Sequence, residues 1–312
     1  MFQVKRIVVG VEMPAERPWS SAKLKPPSRL AVQQAFEVAS NGRATITLAA
    51  VLPNPDAGWF QAHEDADQQK THDRAAVEVV LNELKAKYTS DEKSAKQTEC
   101  AVCVGDAWEE LIRLAGNRPD TLIVCGTRDL GSLRRALFGS TGLKLLRLAA
   151  GPVWIVKPPQ EDNESVDIVA ATDLGPVGAD VIRTAVSIAS RNSARLHVIH
   201  AAEQGANIEE LTGQVHEQLA ATDYRTLLSG VKVHVAVGDA DQCILNAVQE
   251  ANADLVVLGT SSKTGISGLL PGSTVERLLP ELKCSILALK PEGFRSMLPA
   301  DFWSMQRTQP RH

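Results

Sequence analysis

Residues 253–274 read ADLVVLGTSSKTGISGLLPGST, and here the spacing of Gly259, Ser262, Gly265, Gly272, Ser273 and Thr274 suits the chemistry of holding an anion. Leu255, Val256, Val257 and Leu258 form an unbroken apolar run, the pattern of a strand covered on both faces. The run stops at Gly259. Gly272-Ser273-Thr274 then opens an amphipathic helix, with Ser273 or Thr274 as N-cap and Glu276 in the first turn. Bare backbone N–H groups and the positive end of the helix dipole would converge on one spot there. Glycine lets a ligand come close to the backbone. Asp173 closes another strand of the same half.

The stretch has a twin at residues 120–142, DTLIVCGTRDLGSLRRALFGSTG. Gly126-Thr127 matches Gly259-Thr260, and Gly139-Ser140-Thr141 matches Gly272-Ser273-Thr274, each at an offset of 259 − 126 = 133. The same offset runs from Gly105-Asp106-Ala107 to Lys157-Pro158, so the chain is a duplication with a domain-sized period rather than a solenoid. In the first half the place of Ser262 is taken by Asp129, and the place of Asp173 by Glu12. A serine can donate a hydrogen bond to phosphate, whereas a carboxylate beside phosphates is repelled.

The elements that must position these residues alternate. In the first half, strands are expected at 4–11, 44–52, 99–104, 121–125 and 152–156, with helices at 28–41, up to 88, 108–117 and 141–149. In the second half, strands are expected at 167–172, 196–201, 232–237, 255–258 and 286–289. Its helices should begin at Pro176 and span 207–228, 240–251 and the segment from Ser273 to 281. This order means an α/β fold, a doubly wound parallel sheet with right-handed crossovers. Ligands of such sheets bind at the carboxyl ends of the strands, where strand order reverses. If the first and fourth strands are neighbours, the flavodoxin-like order, Asp173 faces the glycine loop. The domains are expected at 1–158 and 167–291, joined by a linker at 159–166 and followed by a tail at 292–312 that packs partly on the body.

The 312 residues carry a formal net charge of −4, which argues against nucleic acid as the main partner. No apolar run reaches the roughly 18 residues of a membrane span. The opening MFQVKRIVVG runs straight into a strand, so no signal peptide is expected. Cys100 and Cys103 form a CxxC, but they lie in a strand pattern, where positions three apart point to opposite faces. They read as structural thiols in a reducing, cytoplasmic setting. His197 and His200 lack a second ligand pair at metal spacing, so no metal is expected. Arg128, Arg134 and Arg135 read as a solvated face.

These motifs resemble the universal stress protein family, whose nucleotide-binding members carry G-x2-G-x9-G-[S/T] after the fourth strand and an aspartate after the first. The resemblance covers both halves, and the closing segments GPVWIVKP and KCSILALKP look like the tandem E-type members. It implies two tandem flavodoxin-like (Rossmann-like, HUP-type) domains, each with a five-stranded parallel sheet. It also implies a non-catalytic stress-response module in which the second half binds ATP through Asp173, Gly259, Ser262, Gly265, Gly272, Ser273 and Thr274. No P-loop, HExxH or G-x-S-x-G elbow is present, so a slow nucleotide hydrolase is the weaker reading. A carrier of an apolar or acyl ligand, or an interaction scaffold, is the alternative.

Two further expectations concern asymmetry and assembly. Each fifth strand is apolar on both faces, an aggregation hazard at a free edge. The two should therefore meet across a pseudo-two-fold axis and make the chain an internal dimer; a homodimer is also open to it. The first half carries insertions bringing Trp19, Trp59 and Phe60, which should roof its crevice, filling it or making an apolar pocket. The second crevice should stay open.

Overall fold

The computed structural model describes residues 4–42, 44–54, 65–127, 140–158, 165–260 and 273–304. The first half runs β1 (Arg6–Gly10), α1 (Pro26–Gly42), β2 (Thr45–Leu52), α2 (Asp65–Tyr88), α3 (Glu92–Lys96), β3 (Thr98–Val104), α4 (Ala107–Ala115), β4 (Thr121–Gly126), α5 (Ser140–Leu148) and β5 (Val153–Val156). The second runs β6 (Asp167–Ala171), α6 (Pro176–Asn192), β7 (Arg195–Ala202), α7 (Ile208–Ala220), β8 (Val231–Val237), α8 (Ala240–Glu250), β9 (Leu255–Gly259), α9 (Ser273–Leu278) and β10 (Ser285–Leu289), followed by α10 (Ala300–Ser304).

All ten strands form one sheet in the order β3-β2-β1-β4-β5-β10-β9-β6-β7-β8. Within each half every pairing is parallel, and the first and fourth strands are neighbours in both. Among the described residues the one antiparallel pairing joins the halves: Ile155, Trp154 and Val153 face Ile286, Leu287 and Ala288. The expected meeting of the fifth strands is thus a continuous hydrogen-bonded junction. It removes two apolar edges from water.

Alternation along the strands divides the core. Ile7, Leu48, Trp154, Ile168, Leu196 and Leu287 point to the layer of α1, α2, α6 and α7. Val8, Ile123, Ile155, Val256 and Ile286 point to the layer of α4, α5, α8 and α9. Cys100 packs toward the first layer and Cys103 toward the second, so the CxxC thiols sit on opposite faces, as strand geometry requires.

Lys157 and Lys290, one repeat apart, reach across the junction reciprocally. Lys157 Nζ donates to the carbonyl of Leu282, and Lys290 Nζ donates to the carbonyl of Leu146. Both lysines are buried, which drives their ammonium groups down to about 8 and about 7. Ser285 adds a tie, its hydroxyl accepting from Lys157 N at 3.0 Å.

Three departures from the expected boundaries have a local cause. Helix α1 begins at Pro26, whose missing N–H costs nothing in a first turn. Helix α7 stops at Ala220 instead of 228, and a 3-10 turn at Tyr224–Thr226 follows. The intervening Thr222 and Asp223 spend side chain and backbone on local turns. Helix α3 was absent from the expectation; a capping box between Asp91 and Ser94 nucleates it. The tail packs on the opposite half: Ser296 Oγ donates to Leu148 O, and Phe302 stacks on Trp108 with ring centroids 6.3 Å apart.

Candidate functional site

In the first half a crevice of about 560 Å³ lies at the carboxyl ends of the neighbouring β1 and β4. Glu12, Trp19, Trp108, Thr127, Ser140 and Lys144 are among its walls. Trp19, from the first insertion, is fixed by donating Nε1–H to Pro14 O at 2.9 Å and packs against the core. The Arg17 guanidinium stands over its ring, 5.1 Å from the centroid. On the other side Trp108 carries the Lys144 ammonium 4.5 Å above its ring. Its indole N–H is buried without an acceptor among the described residues. Burial pushes the Cys125 thiol, also in the lining, up to about 12, so it is no nucleophile. Among the described residues the crevice is open and mixed in polarity. Trp59 and Phe60 lie outside the described residues, as do Arg128, Arg134, Arg135 and Asp129.

The second half is built differently at the corresponding place. Asp173 follows β6 at the start of the 17-residue α6, and its Oδ1 accepts N–H bonds from Gly175 at 2.9 Å and Gly178 at 3.0 Å. The anion at this helix N-terminus is the chain's own carboxylate, in the place where the dipole favours negative charge. Thr172 completes the loop: its hydroxyl accepts from Leu174 N and donates to Gln218 Oε1 at 2.8 Å. A Cβ at residue 178 would lie 2.3 Å from the Thr172 hydroxyl, so only glycine fits. Leu174 takes a left-handed φ of 61° to make the turn.

Gly259 meets a helix. A Cβ there would lie 2.5 Å from Val177 Cγ1, so the missing side chain lets α6 sit on β9. Gly126 does the same for α1, where a Cβ would lie 2.6 Å from the Pro27 carbonyl carbon. Thr260 is buried and donates its hydroxyl to Leu289 O at 3.2 Å. The structure thus brings Asp173 and Gly259 to the carboxyl ends of the neighbouring β6 and β9. Ser273 and Thr274 begin α9. Ser262, Gly265 and Gly272 lie outside the described residues.

His197 and His200 have structural partners. His197 Nε2 lies 3.0 Å from Asp167 Oδ1, and His200 Nδ1 lies 2.9 Å from Thr172 O. Among the described residues no cluster of His, Cys, Asp or Glu is arranged to hold a metal ion. Sequence reasoning missed Trp108 and Lys144. Their one signal was an aromatic opening a helix just after Gly105-Asp106, beside the crevice the fold creates.

The sequence model of the Universal stress protein family matches residues 4–157 and 167–290. A universal stress protein of Mycolicibacterium smegmatis is 26% identical over 303 residues, covering 91% of this chain and 97% of the relative. Universal stress protein E of Escherichia coli is 23% identical over 190 residues, 54% of this chain and 60% of the relative. Among solved structures, a Pseudomonas aeruginosa protein of unknown function superposes with a TM-score of 0.62 at 22% identity, covering 97% of this chain and 96% of that one. A universal stress protein from Archaeoglobus fulgidus gives 0.62 at 18% identity, covering 95% and 98%. These two structures share the fold. With one family match in each half of the ten-stranded sheet, the chain belongs to the universal stress protein family as a tandem two-domain member.

Proposed function

We propose that this chain is a non-catalytic, cytoplasmic stress-response module that holds a small molecule in the crevice of its first half. The carrying observation is the crevice of about 560 Å³ between Trp19 and Trp108, beside the first residues of α5. Two indoles supply apolar cover. Ser140, Thr141 and the Lys144 ammonium favour an anionic end at the start of α5, and Glu12 and Asp106 line the same space. The fitting class is a molecule with an apolar or acyl body and an acid terminus. Burial and the nearby Glu12 charge keep the Cys125 thiol of the lining protonated, which supports holding over turnover.

A second reading keeps an ATP-like nucleotide in the second half, on Asp173, Gly259, Ser262, Gly265, Gly272, Ser273 and Thr274. The adjacency of β6 and β9 favours it, because it places Asp173 near the strand that leads into the glycine loop. Native mass spectrometry of the purified full chain separates the two. The first reading expects a co-purifying apolar acid that is lost in Trp108→Ala/Lys144→Glu and kept in Gly272→Asp. A nucleotide lost in Gly272→Asp alone would establish the second reading instead. A bare protein that also fails to bind added ATP would leave the scaffold reading.

A further inference from the structure

The junction of the two halves creates a second cavity, about 400 Å³, on the face covered by α1 and α6. It lies over β5 and β10, away from both crevices. Leu122, Trp154, Leu287 and Leu289 form its floor. Trp154 is 6% exposed, and its indole N–H is buried with no acceptor among the described residues. A buried, unpaired N–H costs free energy unless something supplies an acceptor.

The walls are unequal. Helix α6 contributes Arg183, Ser187 and Arg191, whereas α1 contributes Gln34 and Glu37. Arg183 is paired with Asp180 of its own helix. Arg191 is exposed and has no ion pair among the described residues. Glu37 accepts a hydrogen bond from Gln33 at 2.9 Å. The cavity therefore carries the Glu37 carboxylate on the α1 wall and guanidinium groups on the α6 wall, above an apolar floor, and Arg191 is the guanidinium that no described carboxylate pairs.

We infer that this interdomain cavity binds a small amphipathic monocarboxylate, with its apolar body on Trp154 and Leu287 and its acid group on Arg191. An apolar floor with a few polar groups at the rim is the usual make-up of a small-molecule site. A planar guanidinium matches a carboxylate with two parallel hydrogen bonds. The two halves supply opposite walls, so occupancy ties them together. This site does not rest on the crevice reading above.

Octanoate and octan-1-ol are the probes, titrated calorimetrically into the full chain. The wild type should bind octanoate more tightly than the alcohol. Arg191→Gln, on an exposed position that does not threaten folding, should weaken octanoate about fivefold and leave the alcohol unchanged. Trp154→Phe, which removes apolar floor area, should weaken both probes alike, by about fivefold. Ser187→Trp, which fills the cavity, should remove this site for both probes. The crevice variant Trp108→Ala/Lys144→Glu should leave it intact. Absence of octanoate binding in the wild type overturns the inference. So does an unchanged preference for the acid in Arg191→Gln. Octanoate binding that survives Ser187→Trp in full but vanishes in the crevice variant also overturns it, and assigns the probe to the first-half crevice.

Discussion

Trp154 and Leu287 are direct partners in the antiparallel pairing of β5 with β10, and they are the same position of the repeat, 287 − 154 = 133. The pairs on either side follow the same symmetry: Ile155 with Ile286, and Val153 with Ala288. The pseudo-two-fold axis therefore passes between an indole and a leucine, both buried. A charge placed here must be buried unpaired in the shared core. Leu287→Lys should cost more than about 3 kcal/mol and separate the unfolding of the two halves. Urea unfolding followed by tryptophan fluorescence and circular dichroism tests this. Coincident, unshifted transitions would show that the junction does not couple the halves.

The buried lysines give stability a pH dependence of defined sign. Burial lowers Lys157 to about 8 and Lys290 to about 7. Unfolded lysines keep their proton up to about 10.4. Between those values the unfolded chain binds more protons, so stability rises with pH. Burial also pushes Cys125 and Cys284 up to about 12, which gives an opposing slope once unfolded thiols ionise above about 8.5. The interval from about pH 7 to 8.5 belongs to the lysines. Lys290→Met should flatten the rise there by up to about 1.4 kcal/mol per pH unit. Denaturant midpoints of both proteins across the interval provide the check.

Asp167 anchors the amino end of the second sheet half. It is 3% exposed on the side chain, holds Arg195 through two hydrogen bonds of 2.9 and 2.7 Å, and meets His197. Burial pushes its carboxyl up, but the Arg195 and His197 hydrogen bonds outweigh that and hold it below the usual range. Its contribution is present above the unfolded carboxylate pKa of about 3.9 and is lost as pH falls through the lower folded value. Asp167→Asn should cost about 2 kcal/mol at neutral pH, a figure discounted because half of the Arg195 side chain is in solvent. Thermal unfolding at pH 7 and at low pH should show the gap between variant and wild type closing in acid.

The two strand-end glycines separate tight packing from ligand approach. At Gly126 a new Cβ meets the Pro27 backbone, and at Gly259 it meets the end of the Val177 side chain. Backbone cannot give way as a methyl can. Gly126→Ala should cost about 2–3 kcal/mol and Gly259→Ala about 1–2 kcal/mol. Equal losses, or none, would mean that α1 and α6 are not seated as described.

The strands themselves, the duplication and the meeting of the fifth strands were legible in the sequence, whereas the neighbouring first and fourth strands followed only from assuming the flavodoxin-like order. The first three rest on local patterns: apolar runs such as Leu255–Leu258, repeated Gly-Thr pairs, and two closing strands apolar on both faces. The placement of Asp173 at the end of β6 was legible too. Its hydrogen bonds to Gly175 and Gly178 were not, because an Asp before a helix reads alike whether it serves the backbone or a ligand. The Lys157 and Lys290 contacts were hidden for a different reason. A lysine closing a strand reads as a surface residue, and its burial depends on carbonyls at Leu282 and Leu146, more than a hundred positions away. The cavity over Trp154 was hidden likewise, since α1 and α6 come to flank it only after the halves have joined.

The antiparallel junction also sets a direction. All first-half strands run one way and all second-half strands the other, because β5 and β10 are opposed. The carboxyl ends of the two halves therefore emerge at opposite rims of the sheet, and the crevice of the first half looks away from the Asp173 end of the second. A flat partner resting on one rim reads a single half and leaves the other to solvent. The molecule has two poles, and the spine of Trp154, Leu287 and the crossed lysines runs between them.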